Sequence, residues 1–171
     1  SLLEERDGKP NLDQMHYYQQ MYGDAYIDLC ERGLARMVDG RGTLIGISSP
    51  GCNFNYRPNT GYALPGSGKC VMEYAMRLFA VRAATRGINC NVIVPGVTET
   101  DAWGAVANAR GIKKEAMLEG LVGKIVPMER LMSPKDLGDT VAFLCSPKGK
   151  LITGVSLPVD GGLHLGSGVY V

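Results

Sequence analysis

The segment GYALPGSGK, Gly61 to Lys69, places a phenol and an ammonium seven residues apart, with Tyr62 ahead of Lys69. Seven residues is close to two helical turns, so in a helix that begins near Tyr62 both side chains can face one cleft. A lysine charge held there favours tyrosinate character at Tyr62, which is proton-transfer chemistry. Pro65 is compatible with that helix because it falls in the first turn, where backbone N–H groups have no intrahelical partner. These residue types also have ordinary readings. A lysine at a helix start is commonly a solvated one, and with eight tyrosines in the chain a chance match to a lysine is easy. Ser48 and Ser49 close an apolar run upstream, a place where serine hydroxyls commonly bond local backbone.

Other chemistries find little support. His16 and His164 are too few and too far apart to build a zinc site, so no metal is expected. PGSGK, Pro65 to Lys69, fails as a phosphate loop: the glycine required five residues before Gly68 is Ala63, and the hydroxyl required after the lysine is Cys70. Cys30, Cys52, Cys70, Cys90 and Cys145 are odd in number, widely spaced and without a CxxC pair, and read as free buried thiols. Lys plus Arg number 18 against 17 Asp plus Glu, a balance that supplies no electrostatic case for nucleic acid or an anionic membrane. No apolar run approaches a membrane span, and the charged opening SLLEERDGKP is no secretory signal, so a cytoplasmic protein is expected.

The elements that position Tyr62 and Lys69 follow from periodicity. Met15, Tyr18, Tyr22, Tyr26, Leu29, Ala35 and Met37 recur at near-helical spacing and predict one long amphipathic helix ending near Gly40. Thr43 to Ile47 reads as a buried parallel strand. A second long helix is expected from about Pro65 to Arg86, with Val71, Met72, Ala75, Leu78, Phe79 and Ala83 on one side and Gly87 as its stop. Ile88 to Val94 is the next strand. Residues 101–126 read as one or two short helices, a candidate flap on which Met117, Leu118, Leu121, Val122 and Ile125 are either packing or a cover for an apolar substrate. Ser133, Pro134 and Asp136 form a strong helix start, that helix ending near Cys145, and Val155 to Val159 is the last strand. Alternation of helix and strand implies an α/β domain with a parallel sheet and helices on both faces. Three strands make a small sheet with an open edge, as if residues 1–171 were half of a doubly wound Rossmann-like domain.

In that order of elements, GTLIGISS (Gly42 to Ser49), RGINCNVIVPGVTET (Arg86 to Thr100), PMERLMSPKDLGDTVAFLCS (Pro127 to Ser146) and ITGVSLPVDGG (Ile152 to Gly162) resemble the C-terminal half of a short-chain dehydrogenase/reductase. The resemblance covers about Leu12 to Leu163. It implies NAD or NADP as cofactor, Ser49 and Tyr62 as catalytic groups, and Lys69 as both a catalytic group and a ligand of the nicotinamide ribose. It also places Ser48, Pro95, Gly96, Val97, Thr98 and Thr100 at the cofactor. Tyr-x6-Lys is the spacing of the enoyl-acyl-carrier-protein reductase branch, whereas Pro65 stands where the common ketoreductase motif has its tyrosine. Tyr56 is the second candidate, on the pattern of dienoyl-CoA reductases. The asparagine that many members carry would fall near Asp24 or Ala25, and neither is one.

The resemblance further implies a small hydrophobic substrate with a carbonyl, an enone, enoyl or ketone compound whose enolate oxygen Tyr62 stabilises, and assembly as a homodimer or homotetramer. The Gly-rich strand-to-helix turn that holds a dinucleotide, and the acidic residue that follows it, do not occur. A separate N-terminal half of the same protein is therefore expected, this chain being a fragment. The alternative that Pro65 and the absent fingerprint motivate is a reductase fold without redox chemistry, acting as a scaffold or a non-redox catalyst.

Overall fold

A computed structural model describes residues 9–58, 62–109 and 111–166; Gly61 of the GYALPGSGK segment and Arg110 of the 101–126 segment lie outside them. Three parallel strands, β1 (Gly42–Ile47), β2 (Ile88–Pro95) and β3 (Ser156–Val159), form one sheet in that order. Gly42 pairs with Ile88 and Ile47 with Ile93 across β1 and β2, while Val92 to Pro95 pair with Ser156 to Val159. β2 is central, so its first seven residues are buried, as expected for a strand covered on both faces. Asn89 and Asn91 are the polar exceptions. Asn89 Nδ2 donates to the carbonyls of Gly149, Lys150 and Ile152, and Asn91 Nδ2 to that of Ile152, which ties the entry to β3 onto the sheet.

The helices are α1 (Leu12–Tyr18), α2 (Ala25–Leu34), α3 (Ala63–Ala84), α4 (Ala102–Ala109), α5 (Lys114–Ile125) and α6 (Pro134–Cys145). The α/β class expected from the alternation of patterns is the one observed. The single long N-terminal helix is not: a π-helical turn, Gln19–Asp24, separates α1 from α2. A π turn carries an extra residue and so interrupts the regular 3.6-residue spacing of the helix. Tyr26, Cys30 and Leu34 face the core, whereas Leu29 and Ala35, expected inside, are exposed. On α3, Met72, Ala75, Met76, Phe79, Ala80 and Ala83 pack against Cys90, Val92 and Val94 of β2, and the expected core residues Val71 and Leu78 lie outside.

Gly68 sets the approach of α3 to the first helix. A Cβ there would overlap the carbonyl oxygen of Tyr18, with the carbonyl carbon 2.8 Å away, and a Cβ at Gly23 would meet Val71 at 2.9 Å. At α6 the expected start is present: Ser133 accepts from Asp136 N–H, Asp136 accepts from Ser133 N–H, and Pro134 opens the helix. α4 and α5 occupy the 101–126 segment, where Leu118, Val122 and Val126 pack on Val97, with Trp103 and Leu131 at the margin. All five cysteines are free; Cys70 and Cys145 are exposed rather than buried. Among the described residues no helix is long and apolar enough to cross a membrane.

Candidate active site

Because the strands are parallel, their carboxyl ends share one edge, where open α/β sheets present groups to ligands. Ser48 and Ser49 follow β1, Gly96 to Thr100 follow β2, and Asp160 follows β3. Helix α3 begins beside the same edge, with Tyr62 as its N-cap residue and Lys69 two turns in.

Three consecutive residues at the end of β1 are each bonded to a different group of this region. The Ile47 carbonyl accepts from Lys69 Nζ at 2.7 Å. Ser48, 1% exposed, donates its hydroxyl to Glu73. Ser49 Oγ lies 3.0 Å from Tyr62 Oη. Ser49 and Tyr62 are thus brought into contact, and Lys69 is tied to the residue two before Ser49. Ser48, expected beside the cofactor, has its hydroxyl directed into the interior because Glu73 accepts it there. Tyr56, the second candidate tyrosine, is committed elsewhere, donating to Asp160 at 2.8 Å.

The electrostatics differ from expectation in one respect. Burial raises the Tyr62 phenol above its ordinary range, and the bond with Ser49 only partly counters this. Burial lowers the Lys69 ammonium, against the opposing influence of Cys52 and Glu73. Lys69 also stands 4.5 Å over the ring of Tyr22. Burial thus favours the neutral phenol at Tyr62 over a tyrosinate.

The loop after β2 is held largely by backbone. Pro95 pairs with Val159, and Gly96 N–H donates to the Val159 carbonyl at 2.9 Å. A side chain at Gly96 would meet Asp160 Cα at 2.7 Å, so glycine is required there. Val97, expected at the cofactor, puts its side chain into the α5 cluster and can offer only its backbone. Thr98 Oγ1 donates to the Gly96 carbonyl at 3.0 Å, the Thr98 carbonyl accepts from Trp103 Nε1 at 2.9 Å, and Thr100 is exposed.

Asp160 closes the other side of the edge. Its buried carboxylate accepts from Tyr56 Oη at 2.8 Å and from the N–H groups of Gly162 and His164, with His164 Nδ1 3.1 Å from both oxygens. Burial works against the charge, but the hydrogen bonds from Tyr56, His164 and the backbone prevail and hold Asp160 below the usual carboxylate range. With the folded value depressed, the stabilisation is complete above the unfolded pKa of about 3.9 and is lost as pH falls through the folded value. Asp160→Asn is expected to cost about 1.5–3 kcal/mol at neutral pH. In thermal unfolding across pH, its deficit against the parent should shrink below about pH 4.

Two cavities lie away from Ser49 and Tyr62. One, of about 440 Å³, is bounded by Glu99, Leu118, Val122 and Leu131; the other, of about 570 Å³, lies at the opposite strand ends beside Gly42, Asn89 and Leu144.

Residues 10–164 match the family model described as enoyl-(acyl carrier protein) reductase. The chain belongs to the short-chain dehydrogenase/reductase family. It is 32% identical over 130 residues to the 1-cyclohexenylcarbonyl-CoA reductase of Streptomyces collinus, covering 76% of this chain and 44% of that protein. It is also 32% identical over 135 residues to the 2,3-dihydro-2,3-dihydroxybenzoate dehydrogenase of Bacillus subtilis strain 168, covering 76% of this chain and 50% of that one. Among solved structures, a blue fluorescent protein from a metagenomic library, in complex with NADPH, matches 93% of this chain and 60% of its own at 27% identity and a TM-score of 0.74. This short-chain dehydrogenase/reductase chain thus spans about half the length of the curated relatives it matches.

Sequence reasoning missed Glu73. It lies four residues after Lys69 on the buried side of α3, 4% exposed, and accepts from Ser48, from Asn53 Nδ2 at 2.7 Å and from Ser156 Oγ at 2.8 Å. The available signal was a carboxylate among the core residues Met72, Met76 and Ala80, since a fully buried charge is rare without partners.

Proposed function

We propose that the protein to which this chain belongs is an NAD(P)H-dependent reductase of a hydrophobic enone, enoyl or ketone substrate, in which Tyr62 supplies the proton. The 3.0 Å contact of Ser49 Oγ with Tyr62 Oη at the carboxyl edge of the sheet carries the reading. A substrate carbonyl oxygen placed between these hydroxyls is polarised by both, and Tyr62, kept neutral by burial, donates its proton as negative charge develops there. With an enoyl substrate the same pair stabilises the enolate oxygen.

The residues fit a nicotinamide cofactor. Lys69 has three donors, of which one is given to the Ile47 carbonyl, so its buried ammonium can hold a ribose hydroxyl. The backbone of Pro95 to Thr98, with Thr100, lines the nicotinamide side. When bound, the cofactor supplies hydride to the substrate carbon. The rest of the dinucleotide is held by an N-terminal half of the protein, docked against the edge of β1 that pairs with no strand among the described residues. The name of the Streptomyces collinus relative, which refers to an alkene conjugated to a carbonyl, favours the enoyl class.

Residues 101–126 form the flap over this substrate, anchored through Leu118 and Val122 to Val97. Assembly as a homodimer or homotetramer is supported by an exposed apolar row, Tyr74, Leu78 and Val81 on α3, with Tyr17 and Met21 nearby in the chain's first helical segment.

The test is loss of reduced-nicotinamide absorbance by the full-length protein, with an enoyl thioester and a ketone of similar size. Turnover of at least one is expected, and Lys69→Met is expected to raise the KM for cofactor about tenfold or more. No oxidation of NADH or NADPH with either substrate class would overturn the reading. That outcome would leave the redox-inactive scaffold, which Pro65, a residue without a hydroxyl in the first turn of α3, also fits.

A further inference from the structure

Residues 50–58, which follow Ser49, are anchored by two buried carboxylates from outside them. Asp160 takes the hydroxyl of Tyr56, on the β3 side. Glu73 takes the hydroxyl of Ser48 and the amide of Asn53, and it reaches β3 through Ser156. Asn53 in turn accepts from Asn55 N–H at 2.9 Å, so its amide is oriented with the N–H₂ group toward Glu73. Each donor to Glu73 is neutral, and no ion pair to Glu73 forms among the described residues. A buried carboxylate satisfied in this way is costly to desolvate and a weak stabiliser for its cost, but its charge-assisted bonds are short and directional. Glu73 therefore gives more in geometry than in stability.

The geometry it controls is that of the proposed catalytic groups. Ile47, Ser48 and Ser49 are consecutive, and their partners are Lys69, Glu73 and Tyr62. Lys69 and Glu73 are one turn apart on the same helix, so the distance between their two bonds is set by α3 itself. Fixing Ser48 against Glu73 sets the backbone torsion that aims Ile47 C=O at Lys69 and Ser49 Oγ at Tyr62.

We infer that Glu73 is a positioning residue, which holds the Ser48–Asn53 segment in register with α3 so that Ser49 and Tyr62 meet at one substrate oxygen. This rests on the reductase reading for its effect on turnover, but not for its effect on the loop. In Glu73→Gln the new amide would face the N–H₂ of Asn53 or give up Ser48, since one carbonyl oxygen cannot replace two carboxylate oxygens.

The experiment compares the full-length parent with Glu73→Gln and Asn53→Ala, by steady-state kinetics and by amide hydrogen exchange resolved to residues 49–53. Glu73→Gln is expected to lower kcat about tenfold or more, with KM for cofactor and substrate within about twofold. It should also speed exchange at residues 49–53 about tenfold or more, leaving β2 amides at the parent rate. Asn53→Ala, which keeps the carboxylate, should give a smaller loss of the same kind and stands in if Glu73→Gln does not fold. Unchanged exchange at 49–53, or kcat within about twofold of an active parent, would overturn the inference. A parent that turns nothing over, with exchange altered as stated, would sink the reductase reading and leave the positioning role standing.

Discussion

Tyr62→Phe is expected to lower turnover well over tenfold while leaving cofactor affinity within about twofold, the signature of a lost proton donor in the transition state. Phe keeps the ring in its half-buried position at the start of α3 and removes only the hydroxyl that meets Ser49 Oγ at 3.0 Å. Ser49 alone would then face the substrate oxygen, and the developing charge is stabilised by one hydrogen bond in place of two. Tyr56→Phe is the matched control. Its hydroxyl is used by Asp160, so that substitution should act on stability and leave kcat within about threefold. Steady-state kinetics paired with a cofactor titration separates the two cases. Full turnover in Tyr62→Phe would remove Tyr62 from the chemistry, and a collapse of kcat in Tyr56→Phe alone would transfer the role to Tyr56.

The second large effect is on the fold. Gly68→Ala is expected to destabilise by about 3 kcal/mol, at the upper end for overpacking, because the new methyl meets the backbone of Tyr18 rather than a side chain that can turn aside. For a cooperative unit of about 150–250 residues that lowers Tm by roughly 6–12 °C. The helices can relieve the contact only by moving apart, which also carries Lys69, the next residue, away from the Ile47 carbonyl. Gly120→Ala should do the reverse. Gly120 lies inside α5 with open space around its Cα, so alanine there should stabilise by about 0.5–1 kcal/mol through helix propensity. Thermal unfolding of the two variants beside the parent checks both signs, and equal Tm values would refute the close crossing at Gly68.

Much of this was legible because it depends on local chemistry. The cap at Ser133, the apolar run of β2 and the glycine stops are set by residues within a few positions of one another, and so is the spacing of Tyr62 and Lys69. Hydrophobic periodicity placed the strands to within one residue at each end and identified the α/β class. The π turn at Gln19–Asp24 was not legible, since apolar spacing of 3.6 tolerates one inserted residue over so long a stretch. Leu29, Ala35, Val71 and Leu78 were misplaced for the same kind of reason: a helix with apolar residues on two sides does not declare which side meets the sheet.

By itself, then, the sequence determined the kind of elements, their order and the presence of a phenol and an ammonium two turns apart. Only the tertiary structure decided which tyrosine meets Ser49, where the Ser48 hydroxyl goes, and that Glu73 and Asp160 anchor residues 50–58. Those contacts join residues 13, 25 and 104 positions apart. Partners so distant are chosen by how helices and strands stack, through close approaches such as Gly68 on Tyr18 and Gly96 on Asp160, and no local pattern encodes that choice.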